Sequence, residues 1–175
     1  MPKIPFKEVA TFHGHVCPGL AIGYRMALAG LAALKEIRAE DEEIVAIVEN
    51  DACGVDAVQV LTGCTFGKGN LIFHDYGKSA YTFFSRRTGQ GVRVIWKERT
   101  AEGIPDERRA RIEWILASPE SDIVVVQPVQ MDMPPRARIH ESVHCDACGE
   151  RVMETRICRV GSQNLCIPCR DKRPD

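Results

Sequence analysis

The chain has 175 residues, of which 45% are hydrophobic and 27% charged, and its formal net charge is -1. These values are typical of a globular protein with one core domain and a small additional segment. The small net charge produces no strong electrostatic field that would attract nucleic acid or a membrane. No stretch is long and apolar enough to span a bilayer, and the first residues lack the apolar core of a secretory signal. A cytoplasmic location is therefore expected. In that reducing compartment the eight cysteines are expected to be metal ligands or reactive thiols rather than disulfides.

The hydrophobic pattern predicts helices and strands in alternation, after a short lead-in over residues 8–12. Apolar residues from Leu20 onward recur at three- and four-residue steps, whereas Ile44–Val48 is a short β-branched run typical of a buried strand. The predicted helices cover residues 20–38, 55–61 and 105–117, and the predicted strands cover 44–49, 71–74, 81–85, 91–96 and 122–127. This order predicts an α+β fold, with a mixed sheet, packed helices and a small C-terminal zinc-binding module.

The composition changes near residue 128, where periodicity ends. Residues 128–138 contain three prolines and two methionines without a helical or strand pattern. We therefore predict a core domain over residues 1–128, a linker over 129–143 and a zinc-binding module over 144–175.

Four cysteines near the end of the chain form two Cys-x-x-Cys pairs, with 17 residues between the pairs. Two such turns supply the four thiolates that a tetrahedral structural Zn²⁺ prefers. They are Cys145, Cys148, Cys166 and Cys169. Cys158 lies between the pairs and could be an alternative ligand, but the symmetric pairing of the other four favours its interpretation as a thiol left over from the site. A pair of free-thiol turns or a redox dithiol is the weaker alternative.

A second group of possible ligands lies near the start of the chain. His13, His15 and Cys17 alternate, so in an extended segment their side chains would share one face. Cys17 and Cys53 each precede a predicted helix, where the helix dipole favours a thiolate. Imidazole and thiolate suit Zn²⁺ or another late transition metal, and three protein ligands would leave a position for water or substrate. The alternative is that these cysteines are core residues.

The loop over residues 62–70 is rich in glycine and contains Cys64 and Lys68. Its spacing does not match a nucleotide-binding P-loop, which we reject. Lys68 could steady an anionic substrate group, and Cys64 could act as a reactive thiolate. A loop of this composition is more often only a tight turn.

Three motifs together resemble the FmdE family, named after the FmdE component of molybdenum or tungsten formylmethanofuran dehydrogenase. They are His13-Gly-His-Val-Cys17-Pro-Gly, Cys53-Gly-Val-Asp-Ala-Val-Gln59 and Thr62-Gly-Cys-Thr-Phe-Gly-Lys68-Gly-Asn70, and the resemblance covers most of residues 8–130. It implies an α+β core, a homodimer and a metal near the His-x-His-x-Cys segment. The leading ligands are then His15, Cys17 and Cys53, followed by His13 and Cys64. The tail is similar to the four-Cys finger of the DksA/TraR type.

The resemblance implies an accessory subunit or a small metalloenzyme linked to formylmethanofuran dehydrogenase or related one-carbon metabolism. With 175 residues, the chain has no room for a molybdopterin-binding domain. In a catalytic version a second metal, expected to be zinc, would act on a small-molecule substrate while His13 moves protons. In a related version Cys17 or Cys64 carries sulfur or an acyl group.

Two other functions remain open from the sequence. The chain could be a regulatory or interaction protein whose zinc module docks to a protein or nucleic acid, although the tail after Pro128 has no Trp, Tyr or Phe for base stacking. Alternatively, zinc holds only the tail, and the N-terminal cysteines are core residues.

Overall fold

A computed structural model describes residues 4–97 and 105–172 of the chain. The chain forms two compact units, Met1–Ala137 and Arg138–Asp175. Their boundary falls inside the predicted linker of residues 129–143. Among the described residues, no helix has both the length and the apolar character needed to cross a membrane.

The first unit contains a five-stranded sheet and the larger helices. Its helices are α1 (Phe6–His13), α2 (Pro18–Leu34), α3 (Gly54–Thr62), α4 (Arg108–Ala117) and the short α5 (Glu120–Ile123). Its strands are β1 (Ile44–Val48), β2 (Leu71–Phe73), β3 (Ala80–Ser85), β4 (Gly91–Trp96) and β5 (Val124–Pro128). The strand order is β2-β1-β3-β4-β5, with β1 and β2 parallel and the other pairs antiparallel. The predicted α+β class with a mixed sheet and packed helices is confirmed.

The interior strand β1 has both of its faces covered, and all five of its residues are buried. Ile44, Ala46 and Val48 pack into the core under the helices. Val45 and Ile47 point to the opposite face, where they pack with Phe84 and with partly buried Val129 and Met133. A strand covered on both sides is apolar throughout, which is why Ile44–Val48 lacks a polar alternation.

Residues 129–137 belong to the first unit although they contain no regular secondary structure. Arg86 holds this segment, because its guanidinium donates 2.9 Å hydrogen bonds to the carbonyls of Pro134 and Pro135. The amide of Ala137 donates to the Glu42 carboxylate at 3.2 Å. The segment therefore forms part of the cover over the second face of the sheet.

Helices α2 and α3 cross at unusually close range, at Gly23 and Gly54. A Cβ atom added at Gly23 would lie 2.3 Å from both the Cα and the carbonyl oxygen of Gly54. One added at Gly54 would lie 2.5 Å from the Tyr81 hydroxyl. Only glycine permits this approach, and the approach brings together the N-terminal ends of the two helices.

The start of the chain differs from the prediction. Residues 8–12 are not a lead-in but part of α1, which buries Val9 completely. A helix of eight residues with a narrow apolar stripe gives only a weak periodic pattern in the sequence. Packing against the core, rather than local sequence, therefore stabilises this helix. Helix α2 ends at Leu34 rather than near Arg38, because Lys35 adopts a left-handed conformation with φ of 55°.

The second unit consists of two small hairpins and short helical turns. The hairpins are β6 (Ser142–His144) with β7 (Arg151–Met153), and β8 (Ile157–Val160) with β9 (Gln163–Cys166). A 3-10 turn over Glu154–Arg156 and a short helix, α6 (Ile167–Asp171), complete the unit. Its buried core is Cys145, Leu165 and Cys166, so two of its three members are cysteines.

Candidate metal centres

Four side chains of the first unit converge into a cluster of two imidazoles and two thiols. They are His13, His15, Cys17 and Cys53, and their ligand atoms all lie within 4.8 Å of one another. We call this set the N-terminal cluster. Mixed nitrogen and sulfur donors in this number suit Zn²⁺ and other late transition metals, so the cluster could hold one metal ion.

The N-terminal cluster does not use the extended segment that the sequence predicted. His13 is the last residue of α1, and Gly14 reverses the chain with φ of 90°. Cys17 then forms the N-cap of α2, as predicted, and its Sγ accepts a hydrogen bond from the Leu20 amide at 3.3 Å. The three residues therefore converge through a helix end, a turn and a helix start.

Cys53 joins the cluster from the N-cap of α3. Burial raises the pKa of the Cys53 thiol, and its hydrogen bond with Cys17 raises it further. A Cβ atom added at Gly19, in the first turn of α2, would lie 3.4 Å from the Cys53 Cβ. The glycine-mediated approach of α2 and α3 is thus what brings Cys53 to Cys17.

Two polar residues of α3 support His13, and neither is among the site residues predicted above. His13 Nδ1 lies 2.7 Å from Oδ2 of Asp56, and Gln59 donates to the other oxygen of Asp56 at 3.2 Å. The other ring nitrogen of His13, Nε2, lies 3.9 Å from the Cys17 Sγ. The sequence contained a signal for Asp56, since a helical residue three positions after Cys53 lies on the same helix face.

Cys64 and Lys68, the other two predicted catalytic candidates, lie outside the N-terminal cluster. Cys64 is fully buried and its thiol donates to the Ile44 carbonyl at 3.3 Å. Burial raises the pKa of the Cys64 thiol to about 11. The Lys68 ammonium donates to the carbonyls of Glu40 and Asp41 at 3.4 and 3.1 Å.

We expect Cys64 to be unreactive toward a thiol reagent such as iodoacetamide at pH 7.5 while the protein is folded. Its pKa of about 11 keeps the thiol protonated well below that value, and its burial blocks access. Peptide mass mapping would show carbamidomethylated Cys64 only after denaturation, whereas exposed Cys148 of the metal-free chain serves as the reactive control. Rapid labelling of Cys64 in the folded chain would support its predicted role as a reactive thiolate.

A cleft of about 460 Å³ adjoins the N-terminal cluster, with His13 and Cys53 in its wall. Asp51 and Asp56 are the acidic residues of this wall, and none of the described lining residues is lysine or arginine. The full lining is His13, Val48, Asn50, Asp51, Ala52, Cys53, Val55, Asp56, Gln59, Phe66, Leu71 and Phe73. Two of its aromatic side chains are well exposed, Phe66 at 77% and Phe73 at 44%, which is a large apolar area to leave in water.

The second unit contains the four predicted cysteines in one group. The Sγ atoms of Cys145, Cys148, Cys166 and Cys169 lie within 4.8 Å of one another, and those of Cys148 and Cys166 are 4.0 Å apart. A tetrahedral site with Zn–S bonds of about 2.3 Å separates its sulfurs by about 3.8 Å, so the four cysteines fit a zinc module. Backbone amides, led by that of Cys166, lower the pKa of the Cys145 thiol to about 6.

Cys158 is not part of this four-cysteine group. It lies on β8, and its Sγ accepts a hydrogen bond from Arg170 at 3.2 Å. The four-cysteine group could hold a metal without it, as the spacing of the two Cys-x-x-Cys pairs predicted.

Known proteins resemble this chain over most of its length. A solved structure of a tungsten formylmethanofuran dehydrogenase FmdE-like protein from Syntrophus aciditrophicus superposes with a TM-score of 0.71 and 27% identity, covering 97% of this chain and 91% of that one. A probable S-adenosyl-L-methionine-binding protein from Archaeoglobus fulgidus is 34% identical over 192 aligned positions, which cover 90% of this chain and 50% of the relative. The chain thus spans about half the length of that curated relative.

The family model described as "FmdE, Molybdenum formylmethanofuran dehydrogenase operon" matches residues 12–125. This range is more than half of the chain and includes His13, His15, Cys17 and Cys53, whereas the four-cysteine group of the second unit lies beyond it. The matched range and the convergence of its motif residues lead to one conclusion: the chain belongs to the FmdE family.

Proposed function

We propose that this chain is a metal-dependent protein that binds a transition metal at the N-terminal cluster and a small molecule in the adjoining cleft. Zinc is the first candidate metal. The observation that carries the proposal is the convergence of His13, His15, Cys17 and Cys53 within 4.8 Å, with His13 and Cys53 in the wall of the cleft. A metal-binding cluster in the wall of a cleft is the arrangement expected of a small metalloenzyme rather than of a structural metal site.

The side chains of the cluster differ in how far they are buried. Cys17 is buried, His13 and Cys53 are half-buried, and His15 is exposed. A bound metal supplies positive charge that polarises a substrate oxygen or lowers the pKa of a water molecule. Three protein ligands are typical of catalytic zinc and four of structural zinc. The N-terminal cluster would therefore be of the structural kind if exposed His15 binds the metal, and of the catalytic kind if it does not.

The wall of the cleft favours a neutral or positively charged ligand. Asp51 and Asp56 contribute carboxylates, and the described lining residues provide no cationic side chain to pair with phosphate or carboxylate. Lys68, which the sequence predicted to steady an anionic group, is not among these residues and donates to backbone carbonyls instead. The exposed rings of Phe66 and Phe73 offer apolar surface to a planar part of the ligand.

We further propose a role as accessory subunit or small metalloenzyme linked to molybdenum or tungsten formylmethanofuran dehydrogenase, or to related one-carbon metabolism. The support is the description of the family and of the similar protein from Syntrophus aciditrophicus. The ligand named for the Archaeoglobus fulgidus relative belongs to a protein of which this chain spans half, so it does not set the ligand of the cleft. A homodimer and a protein partner for the zinc module stay predictions.

Metal content per chain, measured by plasma mass spectrometry, tests the proposal on the full-length protein. We expect the wild type to bind one metal at each of its two clusters, and Cys17→Ser and Cys166→Ser each to lose one of the two. Cys158→Ser, which removes a cysteine outside both clusters, is the matched control and should keep both metals. A Cys17→Ser variant with the same metal content as wild type would contradict the N-terminal site. That result would favour the alternative of a regulatory protein that acts through its zinc module.

A further inference from the structure

We propose that Asp56 is a positioning residue that determines which ring nitrogen of His13 faces the metal, with Gln59 holding the carboxylate in place. This inference rests on the proposed function, because it concerns the metal affinity of the N-terminal cluster. It assigns a role to two residues of α3 that supply no ligand atom to that cluster.

The geometry of His13 separates the tasks of its two nitrogens. Nδ1 lies 2.7 Å from the Asp56 carboxylate, while Nε2 lies 3.9 Å from the Cys17 Sγ on the opposite side of the ring. A carboxylate can only accept a hydrogen bond, so Nδ1 carries the proton of this pair, and in the neutral imidazole that binds a metal Nε2 keeps the lone pair. The free lone pair therefore points into the cluster, as a metal ligand requires.

Asp56 itself is held from two directions. It is the third residue of α3, where the helix dipole stabilises its negative charge. Gln59, one helical turn later, donates its side-chain amide to Oδ1 at 3.2 Å and leaves Oδ2 for His13. Because Cys53 caps the same helix, α3 fixes both the thiol ligand and the residue that orients the imidazole ligand.

A simple ion pair between His13 and Asp56 is the competing explanation. The two side chains are 11% and 35% exposed, so an ion pair would be partly shielded from water. An ion pair would require protons on both nitrogens of His13, and a protonated Nε2 cannot bind a metal. The two explanations therefore predict opposite states of Nε2 and opposite effects on metal affinity.

Three substitutions in the full-length chain test the proposal. Asp56→Asn keeps the side-chain shape but removes the negative charge, and its amide group can also donate to Nδ1, which is possible only when the proton is on Nε2. Asp56→Glu keeps the carboxylate, and Asp75→Asn is the matched control because exposed Asp75 belongs neither to the described lining of the cleft nor to the N-terminal cluster. The readout is the zinc dissociation constant of the N-terminal cluster, measured by chelator competition. The zinc bound at this cluster is identified as the equivalent that the wild type binds and Cys17→Ser does not.

We expect Asp56→Asn to weaken zinc binding roughly 10- to 100-fold, Asp56→Glu to recover part of the loss, and Asp75→Asn to bind as wild type. An Asp56→Asn variant with wild-type affinity would overturn the inference. If wild type and Cys17→Ser bind the same amount of zinc, the proposed function itself fails, which is a different result.

A measurement on the wild type keeps the inference testable even if a variant does not fold. The ¹⁵N chemical shifts of the His13 ring in the zinc-loaded protein report which nitrogen binds the metal. We expect zinc on Nε2 and a proton on Nδ1. Zinc on Nδ1, or zinc on neither nitrogen while the N-terminal cluster is loaded, would overturn the inference.

Discussion

Cys166→Ser is expected to unfold the second unit of the chain while the first unit stays folded. The buried core of the second unit is Cys145, Leu165 and Cys166, which is too small to stabilise a fold of this length without a metal. Structural zinc contributes about 10–16 kcal/mol to the folding of such modules, and loss of one thiolate removes much of that free energy. Loss of any one of the four thiolates is expected to have a comparable effect, and Cys166 is chosen because it also belongs to the buried core.

Amide signals in a ¹H–¹⁵N NMR spectrum of the full-length chain would measure this change. The signals of residues 138–172 should collapse to random-coil positions in Cys166→Ser, and adding a zinc chelator to the wild type should have the same effect. Cys158→Ser is the matched control, because Cys158 lies on β8 of the same unit but outside the four-cysteine group, and its spectrum should stay dispersed. A dispersed spectrum for Cys166→Ser would mean that the unit folds without its metal.

Gly23→Ala is expected to destabilise the first unit and to weaken metal binding at the N-terminal cluster together. The new methyl group would lie 2.3 Å from backbone atoms of Gly54, and backbone atoms cannot move aside as the end of a flexible side chain can. Overpacking of this kind costs about 1–3 kcal/mol, and relief requires α2 and α3 to separate. Since Cys17 and Cys53 cap those two helices, their separation would pull the two thiols apart.

Chemical denaturation and metal content, measured on the same preparation, would test this coupling. Gly67→Ala is the matched control, because nothing lies within 4 Å of a Cβ atom at Gly67, and it should leave both quantities unchanged. A Gly23→Ala variant that loses stability but binds as much metal as wild type would show that the helix crossing and the cluster are independent.

Local spacing determined most of the secondary structure of this protein. Strand β4 runs from Gly91 to Trp96 as predicted, β1 ends one residue earlier than predicted, and α3 extends one residue beyond its prediction at each end. The two Cys-x-x-Cys pairs likewise formed a single group, because each pair is a local turn that presents two thiols at fixed separation. These features depend on residues that are close together in the sequence, which is why the sequence predicts them.

The composition of the N-terminal cluster was decided by tertiary structure. Cys53 and Cys64 are thiols that flank α3, one before its start and one after its end. Cys53 nevertheless reaches Cys17, whereas Cys64 is buried against the Ile44 carbonyl. The difference comes from the crossing of α2 and α3 at Gly23 and Gly54, which no local pattern specifies.

The role of Asp56 and the existence of α1 also depended on packing. Asp56 supports His13 only because α1 ends next to α3, and α1 is too short for its own periodicity to predict it. The sequence by itself therefore determined which residue types could bind a metal and where regular structure occurs. Only the tertiary structure decided which of those residues meet, because contacts between residues distant in the chain depend on how helices approach each other.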